Sequence, residues 1–185
     1  MYNYKTPPFE HQRHALTQGA KERNFAYFME MGTGKTKVAI DNACFLFQSQ
    51  LIQYCIVIAP NSVYQNWKKE IAAHSPEPHN IWVWKVDSEK KLLLNDSKLT
   101  FILMNVEALS HKSGSDWLQK LLGMIGLRSM MVVDESTTIK NRTARRTKAL
   151  IKMGGMVKFK RILTGSPVTK SPLDLFTQCY FLAWK

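Results

Sequence analysis

A glycine-rich turn, GTGKT, links an apolar run to a helical stretch near the start of the chain. Glycine tolerates positive φ and has no side chain, so the amides of Gly32, Thr33 and Gly34 can point into one concavity that accepts phosphate oxygens. Lys35 can reach the β and γ phosphates, and the hydroxyl of Thr36 can bind Mg²⁺. The dipole of the following helix favours the same anion. The turn therefore predicts a site for a nucleoside triphosphate.

The strict phosphate-loop pattern also has a glycine five positions before Gly34, where this chain carries Met29. A chance GKT in a Gly-rich turn is the alternative interpretation. The strand-like run before the turn and the helical stretch after it favour the phosphate loop.

An acidic pair closes the apolar run MMVVDES, about a hundred residues after the turn. We expect Asp134 to hold a hydrated Mg²⁺ and Glu135 to orient and deprotonate an attacking water. Phosphoryl transfer needs chiefly such positioning and charge neutralisation. A helix cap is the competing role for an acid at this place. With a phosphate loop upstream, the pair predicts the catalytic half of a nucleotide hydrolysis site, with Lys35 as its third catalytic residue.

Short apolar runs alternate with longer helical stretches along the chain, which predicts a mostly parallel central sheet with helices on both faces. The strands are predicted at 24–29, 54–59, 80–86, 99–104, 129–133 and 160–163. The helices are predicted from Phe9 onward and at 35–48, 62–74, 116–125, 142–153 and 172–182. Ser62 and Asn141 are candidate N-caps, and Gly154 with Gly155 is a stop signal. No long linker divides the chain, so we expect a single domain over residues 1–185.

Polar segments follow the ends of the predicted strands: GTGKT, PNS, NVE, DEST and TGSP. Ligands of open parallel sheets bind at the carboxyl ends of the strands. We therefore expect all five segments to meet at one edge of the sheet.

Positive charge is concentrated behind the acidic pair. The net charge is +12, and residues 140–170 contain ten basic side chains and no acidic one. Within this stretch Arg145, Lys148 and Lys152 repeat at helical spacing, which predicts a cationic outer helix face. Such a face is either solvated or binds a polyanion such as nucleic acid.

Two classes of protein are disfavoured by the sequence. No apolar run approaches the roughly 18 residues of a membrane span, and the amino terminus lacks an apolar signal core. The five histidines show no spacing typical of zinc ligands. We expect a cytoplasmic protein without a structural zinc site or a membrane partner.

Six ordered segments between Phe9 and Leu182 resemble the superfamily 2 helicases, and among them the Swi/Snf-type DNA translocases. The segments are FEHQ, EMGTGKT, IAPNSVYQNW, ILMNVEAL, VVDESTTIKN and RILTGSPVTKSPLDLF. The resemblance corresponds to the first of the two RecA-like lobes of such enzymes, and the compact motifs resemble those of bacterial or phage-encoded members. It implies a RecA-like P-loop NTPase lobe that binds ATP and Mg²⁺.

The resemblance also assigns roles outside the phosphate loop. Gln12 would read adenine, although a lone surface glutamine is the alternative. Thr164, Gly165 and Ser166 would couple loss of the γ phosphate to lobe movement, while Thr164 could equally satisfy a strand end. The family usually has histidine where this chain has Thr137, so the route of that coupling differs here.

Further matches imply contacts with nucleic acid, which in this family is duplex DNA. Backbone amides and small polar groups there would bind phosphates of any sequence. Asn61 could instead cap the helix that follows it. The candidate contacts are Asn61, Ser62, Asn105, Val106, Lys140, Arg145 and Lys148.

Hydrolysis in this superfamily needs arginine fingers from a second RecA-like lobe, for which there is no room after Lys185. The sequence therefore predicts a motor lobe that works with a second lobe in cis or trans and hydrolyses ATP weakly by itself. A strand-separating DNA or RNA helicase lobe and a non-hydrolysing nucleic-acid-binding module are the alternatives.

Overall fold

Six parallel strands and six α-helices make up the computed structural model, which describes residues 2–85, 97–168 and 172–183. The strands are β1 (Asn24–Phe28), β2 (Tyr54–Ala59), β3 (His79–Val83), β4 (Leu99–Asn105), β5 (Ser129–Val133) and β6 (Phe159–Thr164). The helices are α1 (Glu10–Gly19), α2 (Lys35–Gln48), α3 (Tyr64–His74), α4 (Lys112–Ile125), α5 (Arg145–Gly154) and α6 (Leu173–Ala183).

The strand order is β1-β6-β5-β2-β4-β3, and every pair is parallel. β2 lies at the centre of the sheet and is buried along its whole length. Its alternate side chains enter two separate cores, with Val57 in one and Ile56 in the other. The first core includes Trp67 of α3, and the second includes Leu118 of α4. Helices therefore cover both faces, and the predicted fold class is confirmed.

Both predicted N-caps are wrong. α3 follows a 3₁₀ turn at Asn61–Val63, and the N-cap position is taken by Val63 without a side-chain bond, so neither Ser62 nor Asn61 caps this helix. α5 begins at Arg145, three residues later than predicted. Asn141 instead closes the preceding turn, where its side-chain oxygen accepts bonds from the amide and hydroxyl of Thr143.

The remaining boundaries differ by a few residues from the prediction. α4 begins four residues early, at Lys112, because a 3₁₀ turn at Val106–Ser110 leads directly into it. The predicted strand at 80–86 is observed as His79–Val83, and residue 86 lies outside the described residues. α5 ends at Gly154, as its glycine pair predicts.

The carboxyl ends of β1, β6, β5, β2 and β4 lie at the same edge of the sheet. The register places Phe28 beside Thr164, and Ala59 beside Asn105. Asp134 extends the ladder by one bond, because its amide donates to Ile58 O at 2.8 Å. The edge therefore gathers the phosphate loop, the acidic pair and the TGSP segment, as expected from their strand-end positions.

Candidate nucleotide and nucleic-acid sites

The phosphate loop depends on two glycines in left-handed backbone conformations. Gly32 has φ +79° and Gly34 has φ +84°, a region that favours residues without a Cβ. A Cβ on Gly34 would also press on the side-chain amide of Gln12 and displace it. α2 begins at the next residue, Lys35, which places the free amides of the helix start beside the loop. This backbone is suited to an anion.

The side chain of Lys35 lies within the phosphate loop. Its Nζ donates to Met29 O and to Glu30 O, both at 3.0 Å, and the residue is buried. Phosphate oxygens in the loop would compete with these two carbonyls for the ammonium group. Thr36 follows in the first turn of α2 and is half-buried, which leaves its hydroxyl available on the same side.

Gln12 is a buried residue of the first turn of α1, so the alternative of a lone surface glutamine is wrong. Its Oε1 accepts from the amide of Phe9 at 3.1 Å, and its Nε2 donates to Thr33 O at 2.9 Å. A ring nitrogen of His11 lies 3.0 Å from the same carbonyl. Gln12 therefore ties α1 to the phosphate loop, and adenine recognition stays a prediction.

Asp134 is buried behind the phosphate loop and holds two hydrogen bonds. Its Oδ2 accepts from the indole Nε1 of Trp67 at 2.8 Å, and its Oδ1 accepts from the amide of Glu135 at 2.9 Å. Burial raises the pKa of this carboxyl, while the Trp67 bond, the Glu135 amide and the charge of Lys35 oppose the rise. The side chain caps no α-helix, so the competing role of a helix cap is wrong.

Glu135 follows in an unusual backbone conformation, with φ +46° and ψ +58°. A non-glycine residue in this region costs on the order of 1–3 kcal/mol and is found most often at functional sites. The side chain is half-buried. Its pKa is raised by burial and by the neighbouring Asp134, and lowered by Lys35. A raised pKa suits a carboxylate that accepts a proton from water.

The phosphate loop and the acidic pair line one cleft of about 290 Å³. It offers backbone amides, an ammonium group, a hydroxyl and two carboxylates, which is the donor set that a magnesium–triphosphate complex needs. Asn66 and Glu70 of α3 also line it, and the sequence did not point to either. The other lining residues are Met31, Gly32, Gly34, Lys35, Thr36, Val63, Asp134 and Glu135.

Trp67 is a further residue of this site that the sequence prediction missed. The side chain is fully buried, and its indole N–H points at the carboxylate of Asp134. A buried tryptophan needs a partner for its N–H, and that requirement was the available signal. The sequence could not show that the partner is Asp134, 67 residues away.

The TGSP segment lies against the phosphate loop. Thr164 is buried at the end of β6, and its hydroxyl accepts from the amide of Ser166 at 3.1 Å, so it does satisfy the strand end. A Cβ on Gly165 would lie 3.2 Å from Met31 N and 3.4 Å from Met29 O. The two loops therefore lie close to each other along their backbones, and the amide of Met29 donates to Thr164 O at 3.2 Å.

Part of the predicted nucleic-acid set meets in a second cleft, of about 400 Å³, at the carboxyl ends of β2 and β4. Asn61 and Asn105 line it together with Lys85 and His111. Ser62 is exposed beside Asn61. Asn105 and Val106 offer mainly their backbone groups to a ligand. Asn105 accepts the amide of Glu107 at 2.7 Å through its side chain, and the side chain of Val106 is buried.

The basic candidates lie apart from that cleft, on α5 and the turn before it. Arg145, Lys148 and Lys152 are exposed along one side of α5 while Leu150 and Met153 are buried, as the helical spacing predicts. Lys140 precedes them, and its carbonyl accepts from Thr177 of α6 at 3.1 Å. Lys160 and Arg161, however, are buried, so the basic stretch is not entirely a surface feature.

A third cleft, of about 500 Å³, lies between α5 and α6. Lys148 and Lys152 line it, and three planar groups form a stack along it. The guanidinium of Arg142 lies 5.3 Å from the ring centre of Phe176, and that ring is stacked on Tyr180 at 5.8 Å. Cations beside exposed planar rings are typical of surfaces that bind nucleic acid.

Two negative findings apply to residues 2–85, 97–168 and 172–183. No helix there is long and apolar enough to cross a membrane. No three or more His, Cys, Asp or Glu side chains in that part of the chain form a group suited to a metal ion.

The comparisons with known proteins identify a family and related structures. The model of a family described as SNF2-related domain matches residues 16–185. The CHD3-type chromatin-remodeling factor CHR7 of Arabidopsis thaliana is 27% identical over 172 residues, which are 88% of this chain and 14% of that protein. An ATP-dependent helicase of Mycoplasma genitalium, described as uncharacterized, is 30% identical over 150 residues, with 80% and 14% covered.

A solved structure of the Sulfolobus solfataricus SWI2/SNF2 ATPase core in complex with dsDNA superposes with a TM-score of 0.77. The identity is 21%, and the match covers 98% of this chain and 37% of that one. This likeness confirms the RecA-like fold. The chain spans about a seventh of the length of the two curated relatives, at 14% of each.

Proposed function

The chain belongs to the SNF2-related domain family, and from that premise we propose that it is the ATP-binding first lobe of a motor that translocates along duplex DNA. One observation carries the proposal. The phosphate loop at the start of α2 and the acidic pair after β5 face each other across a single cleft. A phosphate loop alone would fit many classes of enzyme.

Within this cleft each side chain has a role that its geometry permits. Lys35 would leave the carbonyls of Met29 and Glu30 to bind the β and γ phosphates. Thr36 and Asp134 would hold Mg²⁺, which supplies charge neutralisation of the phosphates. Glu135 would orient the attacking water and accept its proton. Gln12 holds the loop in place and is the candidate for adenine contact.

Completion of the site requires charge from outside this lobe. Hydrolysis in the family uses arginines of a second RecA-like lobe, in cis or in trans, and opening and closing of the cleft between lobes would drive the step along DNA. We therefore propose that residues 1–185 form a single domain that binds ATP with Mg²⁺ by itself and hydrolyses it weakly. A location in the cytoplasm of a bacterial or phage-infected cell stays a prediction.

DNA binding is proposed at the cleft of Asn61 and Asn105 and along the basic side of α5. The solved SWI2/SNF2 relative in complex with dsDNA supports duplex DNA as the partner. Exposed amides and side-chain amides at the first surface suit contacts with phosphates of any sequence. The Arg145 and Lys148 side chains at the second add positive charge, so binding should weaken steeply with salt.

The nucleotide assignment is tested with a fluorescent ATP analogue in the presence of Mg²⁺. We expect Lys35→Ala to lose binding by at least about tenfold, because a charge-assisted bond to phosphate is worth about 1.5–3 kcal/mol. Glu135→Gln should bind normally and hydrolyse nothing. Lys69→Ala, an exposed lysine on α3, is the matched control. Equal binding by Lys35→Ala and Lys69→Ala would contradict the proposed site.

The partner is tested by fluorescence anisotropy with duplex DNA, single-stranded DNA and RNA of one length at several salt concentrations. We expect the duplex to bind best and the double variant Arg145→Glu, Lys148→Glu to bind weakly. Preference for single strands or RNA would indicate the strand-separating helicase instead. Binding of DNA without any binding of ATP would indicate a regulatory module.

A further inference from the structure

Ser136, the residue directly after the acidic pair, is bound to a buried glutamine of α6. Its hydroxyl donates to Oε1 of Gln178 at 2.5 Å. Both residues are fully buried. Breaking this bond would remove a partner from two buried polar groups, which is costly in a medium of low dielectric constant.

The same glutamine continues to the TGSP segment. Nε2 of Gln178 donates to Pro167 O at 2.8 Å and to Asp174 O at 3.0 Å. The carbonyl oxygen of the amide accepts, and both of its N–H groups donate, so the orientation of the side chain is fixed by three partners. One buried side chain thus joins the residue after Glu135 to the loop after β6.

The sequence around this bridge departs from the family pattern at the acidic motif, where Thr137 stands in the place of the usual histidine. Gln178 lies outside the acidic motif and reaches it from α6, 42 residues further along the chain. Gln178 therefore connects the two loops although it belongs to neither motif.

We propose that Gln178 is the positioning residue that couples the acidic pair to the TGSP segment. The inference rests on the proposed nucleotide site. Any shift of Asp134 and Glu135 on binding a magnesium–nucleotide complex moves Ser136, which is the next residue in the backbone. The Ser136 hydroxyl then pulls on the Gln178 amide, and that amide pulls on the carbonyl of Pro167.

Gly165 supplies the other contact of the same segment, against the phosphate loop at Met31. TGSP is therefore touched from two sides, by the loop that holds the phosphates and, through Gln178, by the acids that hold the metal. The contact at Gly165 would transmit movement of the phosphate loop to TGSP, and Gln178 would transmit movement of the acidic pair.

The test measures hydrogen exchange of residues 164–168 with and without a non-hydrolysable ATP analogue and Mg²⁺. Ser136→Ala removes one bond at nearly constant volume, and Gln178→Met removes all three while keeping the length of the side chain. Thr177→Val is the matched control, because Thr177 is an equally buried polar residue of α6 whose hydroxyl bonds to Lys140 O instead. Thermal unfolding and circular dichroism check that each variant is folded.

We expect the analogue to bind all four proteins with the same affinity and to slow exchange at Ser166 and Val168 in the wild type and in Thr177→Val. In Ser136→Ala and Gln178→Met that change in exchange should be reduced or lost. An unaltered response in both variants would overturn the role of Gln178. An equal loss in Thr177→Val would overturn it too, because the effect would then be a general loosening of α6.

A failure of the proposed function gives a different result. In that case the wild type itself would not bind the analogue, and exchange at residues 164–168 would be the same with and without it. The inference about Gln178 fails alone when binding and the wild-type response are present but the two variants keep both.

Discussion

Replacement of Trp67 by phenylalanine tests how the fold holds the proposed metal ligand. The indole N–H donates to Oδ2 of Asp134 at 2.8 Å, and both residues are buried. Phenylalanine keeps most of the apolar contact but has no donor. The carboxylate of Asp134 would then keep the amide of Glu135 and lose its other hydrogen bond.

The expected loss can be estimated from these contacts. A hydrogen bond to a charged group contributes about 1.5–3 kcal/mol. The smaller ring leaves a cavity that costs about 1 kcal/mol more. We therefore expect the free energy of unfolding near pH 7 to fall by about 2.5–4 kcal/mol. At this chain length each kcal/mol lowers the melting temperature by about 2–4 °C, which gives a fall of about 5–15 °C.

The loss should depend on pH with a definite sign. Burial already raises the pKa of Asp134 above its ordinary value of 3.8, and the Trp67 bond opposes that rise. A carboxyl with a raised pKa contributes stability that is present below pH 3.8 and lost as the pH rises through its folded value. Trp67→Phe raises the pKa further. The variant should therefore lose more stability at pH 7 than at pH 4, and its binding of magnesium–nucleotide should need a higher pH.

Urea unfolding of Trp67→Phe, Asp134→Asn and the double variant separates the hydrogen bond from the packing. Asparagine accepts from the indole but carries no charge, so the cost of Trp67→Phe should be about 1–2 kcal/mol smaller in that background. Additive effects within about 0.5 kcal/mol would refute the reasoning. So would an unchanged pH profile of nucleotide binding in Trp67→Phe.

Three further predictions concern single positions. Asp134→Asn should abolish Mg²⁺-dependent nucleotide binding and remove the loss of stability that the raised pKa of Asp134 causes as the pH rises from about 4 to about 7. A variant whose stability in urea falls over this range as much as that of the wild type would contradict this. Gly165→Ala should weaken binding of the ATP analogue, because its Cβ presses on the phosphate loop, whereas Gly123→Ala, which faces open space, should bind normally. Arg161→Met should lower the free energy of unfolding in urea by at least about 3 kcal/mol. The change removes the 2.7 Å bond to Asn42 and leaves buried backbone carbonyls without their donor. A melting temperature within about 2 °C of the wild type would contradict this.

The sequence was sufficient to predict the sheet and the phosphate loop, because both depend on the local pattern of residue types. The buried strand at Tyr54–Ala59 is a continuous apolar run, and it was predicted with its observed ends. Gly32 and Gly34 adopt positive φ, and the residue type alone is enough to predict this conformation. The strand-end rule then placed Asp134 beside that loop without any knowledge of contacts.

The failures come from partners that are distant in the chain. Ser62 and Asn141 are residue types that favour N-caps, yet α3 and α5 begin later, at Tyr64 and Arg145. Arg161 belongs to the basic stretch by sequence, but the structure buries it against Asn42, 119 residues away. Local sequence preferences do not predict such contacts, because tertiary packing selects among several acceptable local conformations.

The residues that break ordinary rules of stability are the ones predicted to do chemistry. Glu135 has a backbone conformation that a non-glycine residue adopts at a cost, and Asp134 keeps a carboxylate out of water, where its charged form is disfavoured. Both costs are confined to the two residues after β5. On one side the amide of Asp134 bonds to Ile58 O in the parallel ladder, and on the other side Ser136 bonds to Gln178 of α6. A bound magnesium ion would favour the charged form of Asp134, so the same burial that destabilises the chain makes this carboxylate a stronger ligand. The site is therefore expected to gain more stability from magnesium–nucleotide than from nucleotide alone.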